Sequence, residues 1–238
     1  MNIDDVFIKG NNARILSKFT FQPREIAEKK PKDEFSIDDK KFLSLLCAQP
    51  YKLMLTEAFT KVELSAGKGE RIRNKLEEKG LIQVIEVFKG RGGKKLYPVL
   101  LSEGYKLLNM DEPKFEGKGC GYEHLLYQHL IKEHFIEYSP VIELIRGNKS
   151  IDVACEIDGK LIAFEVAMTP AHEKINLEKD VALAGAYRVV IGCKDEKVKE
   201  QVVKEISSLP DDIKSKAVVC RISEVFKLKL EELIKKEE

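Results

Sequence analysis

From Ile37 onward, apolar residues recur every three or four positions, the spacing that gives a helix one buried face. Phe42, Leu45 and Leu46 mark a first helix, opened by Ile37-Asp38-Asp39 and ended by Pro50. Leu53, Leu55, Ala58, Phe59 and Val62 mark a second. A turn at Leu64-Ser65-Ala66-Gly67 leads to a third, G-E-R-I-R-N-K-L-E-E-K-G, stopped by Gly80. The period then changes. L-I-Q-V-I-E-V-F and K-K-L-Y-P-V-L read as strands joined by K-G-R-G-G, whose glycines permit a hairpin tip, and L-S-E-G-Y-K-L-L-N begins another helix.

Residues 111–120, D-E-P-K-F-E-G-K-G-C, are punctuated by proline and glycines and read as a linker. Beyond them the pattern predicts an amphipathic helix, G-Y-E-H-L-L-Y-Q-H-L-I-K-E-H-F, then a strand, V-I-E-L-I-R. Next comes S-I-D-V-A-C-E-I-D-G-K-L-I-A-F-E-V-A-M-T-P, two strands turning at Asp158-Gly159-Lys160. A helix over 171–185, a buried strand Y-R-V-V-I-G-C, a helix K-D-E-K-V-K-E-Q-V-V-K-E-I, a strand K-A-V-V-C-R-I and a last helix over 222–238 complete the order. Hairpin-linked strands are antiparallel and helix-linked ones usually parallel, so this half is α/β with a mixed central sheet, and the whole chain is α+β. Residues 1–36 show no strong periodicity. N-A-R-I-L-S-K-F-T-F-Q-P has room for one strand, and E-K-K-P-K-D-E reads as a charged linker. The expected division is therefore 1–36 lead-in, 37–110 first domain, 111–120 linker and 121–238 second domain.

Composition adds limits. In 238 residues, 43% hydrophobic and 34% charged, no apolar run approaches the roughly 18 residues that span a bilayer. The start, M-N-I-D-D-V-F-I-K-G, is not a secretory signal, and five scattered cysteines without a CxxC pattern read as reduced thiols. Both point to a cytoplasmic protein without membrane contact. A formal net charge of +1 gives no global case for nucleic acid, so any such case is local.

The locality is clear. Lys68, Arg71, Arg73, Lys75 and Lys79 fall on the third helix, and Lys89, Arg91, Lys94 and Lys95 on or beside the hairpin tip. Three helices followed by such a hairpin resemble the winged helix-turn-helix domains of MarR-type regulators. The resemblance implies that Lys68, Arg71, Arg73 and Lys75 meet the major groove of DNA and that Lys89, Arg91, Lys94 and Lys95 meet its flanking backbone. A solvated charged face that serves only protein contacts is the other reading of the same residues, since Glu70, Glu77 and Glu78 dilute the helix.

The second locality is acidic. Asp152 and Glu165 each interrupt an apolar strand, and a carboxylate inside a buried strand costs several kcal/mol unless it is paired. Two such acids on adjacent strands suggest a shared cation. The element order, with these acids, resembles the PD-(D/E)xK nuclease superfamily and its restriction-endonuclease-like fold. The resemblance implies Glu123 as helix acid, Asp152 and Glu165 as ligands of Mg²⁺ or Mn²⁺, and DNA phosphodiester cleavage by metal-activated water. The lysine of the E-x-K pattern falls on Ala167, a departure. Lys174 and Lys179, on the following helix, are the candidate replacements, and His172 a candidate water or phosphate contact. His124, His129 and His134 fall roughly a turn apart, but without a matching carboxylate or cysteine pattern they read as a surface or half-buried row rather than as metal ligands.

The longer string F-E-V-A-M-T-P-A-H-E-K-I-N-L-E-K-D-V-A-L-A-G-A-Y-R-V-V-I-G-C is similar to C-terminal domains of archaeal and mobile-element ATPases of the HerA, FtsK and VirB4 type. That implies a DNA-translocating ATPase as partner. No G-x-x-x-x-G-K-[ST] occurs in this chain, so ATP hydrolysis is not expected of it. The expectation is a DNA-binding, nuclease-like protein, either a metal-dependent endonuclease or a non-catalytic targeting module or regulator. Because winged helices often pair and nucleases that cut both strands often dimerise, a homodimer is the expectation.

Overall fold

Ser36 opens the first helix of the structure, a computed structural model that describes residues 34–90, 92–113, 121–146 and 149–235. Its hydroxyl accepts from the Asp39 N–H, and the Asp39 carboxylate accepts from the Ser36 N–H, so two amides that the helix cannot satisfy are paired. This helix, α1 (Ile37–Ala48), packs with α2 (Leu55–Lys61), α3 (Ala66–Glu78) and α4 (Ser102–Leu107). Phe42, Leu43, Leu46, Phe59, Ile72 and Leu76 form their common core. Gly69 brings α3 close to α2: a Cβ there would lie 2.7 Å from the Phe59 ring. Between α3 and α4 runs an antiparallel hairpin, β1 (Ile82–Val87) and β2 (Lys95–Leu100).

The second half begins with α5 (Tyr122–His134) and a 3-10 turn at Ile136–Tyr138. Strands β3 (Val141–Arg146), β4 (Lys149–Ile157) and β5 (Lys160–Ala167) follow in antiparallel sequence. After α6 (Glu173–Ala182), β6 (Arg188–Cys193) lies parallel to β5. After α7 (Glu196–Ile206) and the short α8 (Asp211–Lys214), β7 (Ala217–Arg221) lies parallel to β6. The mixed sheet thus runs β3-β4-β5-β6-β7. The turn between β4 and β5 has Asp158 at φ 51° and Gly159 at φ 73°, two left-handed residues in succession, which matches the twist of the strands it joins.

Two elements differ from the sequence expectation. The helix expected over 222–238 is two short ones, α9 (Ile222–Val225) and α10 (Leu230–Ile234), separated by a turn that places Phe226 in the core. The carbonyls at the end of α10 are held by Arg188, which donates to Leu233 O, and by Lys160 and Tyr187, which both donate to Ile234 O. Cationic groups at a helix carboxyl end suit its dipole. The helix α8 was hidden because S-S-L-P-D-D-I-K-S-K reads as turn chemistry.

Each sheet face has its own core. On one face, α5, α9 and α10 cover Val153, Cys155, Phe164, Val166 and Val190. On the other, α6 and α7 cover Ile151, Ala154, Ala163, Ala167, Val189 and Ile191. The first core also takes in Ile85, Val87, Tyr97 and Val99 of the hairpin, together with Tyr51. Tyr51 stacks on His129 at 5.0 Å between ring centres, and the Tyr122 hydroxyl bonds Ser102 and Glu112. The residues from Phe35 onward thereby form one compact unit. Among the described residues, no helix is long and apolar enough to cross a membrane.

Candidate functional site

Asp152 sits where the sheet changes face. In a regular strand Ile151 and Val153 share a side, yet here Ile151 faces the α6–α7 core and Val153 the α5 core. The same switch occurs across the ladder, where Leu144 pairs with Ile151 and Ile142 with Val153. Glu143, between them, is left-handed at φ 51°. This local twist aims Asp152 at α5. One oxygen, Oδ1, accepts from Gln128 Nε2 at 3.0 Å. The other, Oδ2, accepts from the Val166 N–H at 2.7 Å and meets His124 Nε2 at 3.0 Å. A carboxylate can only accept, so Nε2 is the protonated nitrogen of that ring when Asp152 is ionised.

His124 and Gln128 are four apart on α5 and so share a face of the helix. Gln128 is fully buried. Their remaining polar atoms, His124 Nδ1 and Gln128 Oε1, are also buried, with no hydrogen-bond partner among the described residues. The neighbouring Glu123 reaches outward instead and binds Lys194 Nζ at 2.8 Å. Lys194 follows β6, and its N–H donates to Ala167 O. Asp152, His124 and Gln128 thus form one bonded set, and Glu123 with Lys194 forms a separate pair at the neighbouring position of α5.

The other expected members lie elsewhere. Glu165 is buried, but it stands between Phe164 and Val166, which face α5, so the pleat turns it to the α6 side with Ala163 and Ala167. Lys174 donates to Ser208 Oγ at 2.8 Å, across from α6 to the end of α7. Lys179, also on α6, is exposed. Because α6 covers the face opposite Asp152, neither lysine completes the Asp152 set. His172 starts α6 in the left-handed region, at φ 76°, and lines a surface groove of about 690 Å³ with Lys174 and Lys204. The three histidines of α5 have separate partners: His124 has Asp152, His129 stacks on Tyr51, and His134 meets Phe135 and Phe226 edge-on. Burial lowers the pKa of both His129 and His134.

A shared Mg²⁺ or Mn²⁺ does not fit this arrangement. Both oxygens of Asp152 already accept from protein donors, and Glu165 lies on the other face. Among the described residues, no three His, Cys, Asp or Glu side chains come together as a metal cluster would require. A hard cation needs an oxygen-rich set. What the site does have, a carboxylate with three donors, is the means of satisfying a charge without a cation.

The basic residues of the first half are largely engaged within the fold. Lys68 pairs with Asp38, Arg73 with Glu70 at 2.8 Å and Glu77 at 3.5 Å, and Lys75 with Asp39 at 2.7 Å. Arg71 is exposed and donates from Nε to Gly67 O. Lys94 pairs with Glu86, and Lys95 is exposed. Lys89 lies over the rings of Tyr97 and Phe226. Arg91 falls outside the described residues.

No protein-family model and no curated protein matches the chain. Among solved structures, the crystal structure of protein VC1899 from Vibrio cholerae aligns at 12% identity with a TM-score of 0.34, over 84% of this chain and 57% of that one. The chain thus spans less than two thirds of that protein's length.

Sequence reasoning missed Gln128 and Lys194. A glutamine one turn after His124 on an otherwise apolar stripe was a legible sign of a buried polar pair. Lys194 lies directly after a strand, and only the sheet order brings it beside Ala167.

Proposed function

We propose that the chain is a non-catalytic DNA-binding module in which a nuclease-like sheet carries an acid site that clasps the fold instead of holding a metal. The order α5-β3-β4-β5-α6-β6, with three antiparallel strands and then a parallel one, supports a PD-(D/E)xK-like layout. The three helices and hairpin of the first half support a winged helix-turn-helix. The observation that carries the non-catalytic reading is the set of donors on Asp152, from His124, Gln128 and the Val166 N–H. With alanine at 167, the pattern lacks both an open ligand position and its lysine. In this reading any motor action belongs to a DNA-translocating ATPase acting as partner.

A metal-dependent DNA endonuclease is the second reading, and Lys194 favours it. Its N–H binds the carbonyl of Ala167 and its ammonium reaches Glu123, so a cation stands beside the helix acid of the pattern. Calorimetric titration with Mn²⁺ separates the two. The clasp gives no binding that Asp152→Ala removes. A single Mn²⁺ site lost in both Asp152→Ala and Glu165→Ala would establish the second reading. Gel shifts on a short duplex across a salt series test DNA contact: affinity that does not fall with salt, or no shift at low salt, would exclude it.

A further inference from the structure

Lys89 and Gly90 lie just past the end of β1 in the loop of the β1–β2 hairpin, where a winged helix would offer basic side chains to phosphates. Here the tip has an internal partner. Ile85, Val87, Tyr97 and Val99 are buried in the same core as Leu126 and Leu130 of α5 and Phe226 and Leu230 near the carboxyl end. Lys89 Nζ lies 5.2 Å from the ring centre of Phe226 and 5.6 Å from that of Tyr97. Gly90 is left-handed at φ 77°, and a Cβ there would lie 2.8 Å from the carbonyl oxygen of Ser223. The hairpin tip and α9 are therefore in backbone contact, at a position where only glycine fits without strain.

We infer that Lys89 and Gly90 form an internal clasp on the α9 segment rather than a phosphate contact, and that the DNA face is centred on the amino-terminal half of α3. The second clause rests on the DNA-binding reading; the first does not. Burial lowers the pKa of Lys89, with Lys95 nearby acting in the same direction, as befits an ammonium turned toward rings instead of solvent. Cation–π geometry of this kind is stabilising where water is partly excluded. On α3, Gly69, Ile72 and Leu76 face inward. The opposite side carries Glu70, Arg71, Asn74, Glu77 and Glu78, so a base-rich groove reader is reduced to Arg71, with Lys68 at its flank. Two phosphate contacts give a log–log salt slope of about −2, whereas a footprint that adds the four hairpin bases gives about −5.

Two measurements on the full chain test this. The first is a double-mutant cycle in urea with Lys89→Ala and Phe226→Ala. The clasp makes the paired loss in folding constant smaller than the product of the single losses by about threefold; strict additivity overturns it. The second is duplex binding across a salt series. Lys89→Ala is expected to bind like the unmodified protein, with the same slope, while Arg71→Ala weakens binding and flattens the slope by about one unit. A Lys89→Ala variant with unchanged stability and a flattened slope would overturn the clasp. If the unmodified protein binds no duplex at low salt, the DNA reading and the α3 footprint fail together, while the cycle, which uses no DNA, still decides the clasp.

Discussion

Asp152 concentrates the chemistry of the sheet half in one side chain. Replacing it with alanine leaves Gln128 Nε2 and the Val166 N–H without an acceptor, and an unsatisfied buried donor costs about 1–3 kcal/mol. Asp152→Ala is therefore expected to destabilise the protein by about 3 kcal/mol, with or without divalent metal, as read from urea unfolding. Metal-dependent stability that vanishes in the variant would contradict the clasp. Asp39 is a second charge with a structural task. Burial alone would raise its pKa, but the Lys75 ammonium and the Ser36 amide and hydroxyl outweigh burial and hold it below the usual value. A depressed carboxyl stabilises the fold above its unfolded pKa, near 4, and that contribution is lost as pH falls through the folded value. Asp39→Asn should thus flatten the acid limb of stability against pH, and an unchanged limb would assign it to other groups. Gly69→Ala is expected to cost about 1–3 kcal/mol in thermal or urea unfolding, because its methyl group meets the Phe59 ring.

At the scale of elements, the sheet was legible because its strands follow simple rules. Asp158-Gly159 announced the β4–β5 turn, and the helices between β5, β6 and β7 required parallel crossovers. The site was legible only in part. The sequence identifies Asp152 and Glu165 as acids in apolar strands, but strand alternation cannot foresee the change of face at Glu143 and Asp152, which depends on pairing between two strands. That switch sends Asp152 to α5 while Glu165 stays on the α6 side. The bases of α3 and the hairpin were equally visible as residues. Their partners were not, because Asp38 and Asp39 precede α3 by about 30 positions, and Phe226 lies far along the chain from Lys89. Long-range pairing of this kind leaves no local signal.

For the whole molecule, the shared core makes a direct statement about unfolding. The hairpin, α5, β4, β5, α9 and α10 contribute to one buried cluster, so circular dichroism and the tyrosine fluorescence should report one coincident transition in urea. Two separated transitions would show that the halves fold independently. The buried thiols give an independent check. Burial pushes Cys155 up to about 11 and Cys193 and Cys220 up to about 12, so at pH 8 these three are expected to resist a chromogenic disulfide reagent until denaturant is added. Rapid native labelling at any of them would mean that the sheet faces open readily.

Nicking of supercoiled plasmid in Mn²⁺, comparing the unmodified protein with Asp152→Ala, bears most directly on whether the acid site is a clasp or a metal centre. The clasp gives equal, background levels of nicked plasmid for both proteins. Nicking by the unmodified protein that disappears in Asp152→Ala, with that variant still folded and still shifting the duplex, would make the site a nuclease centre and Lys194 its first residue to test.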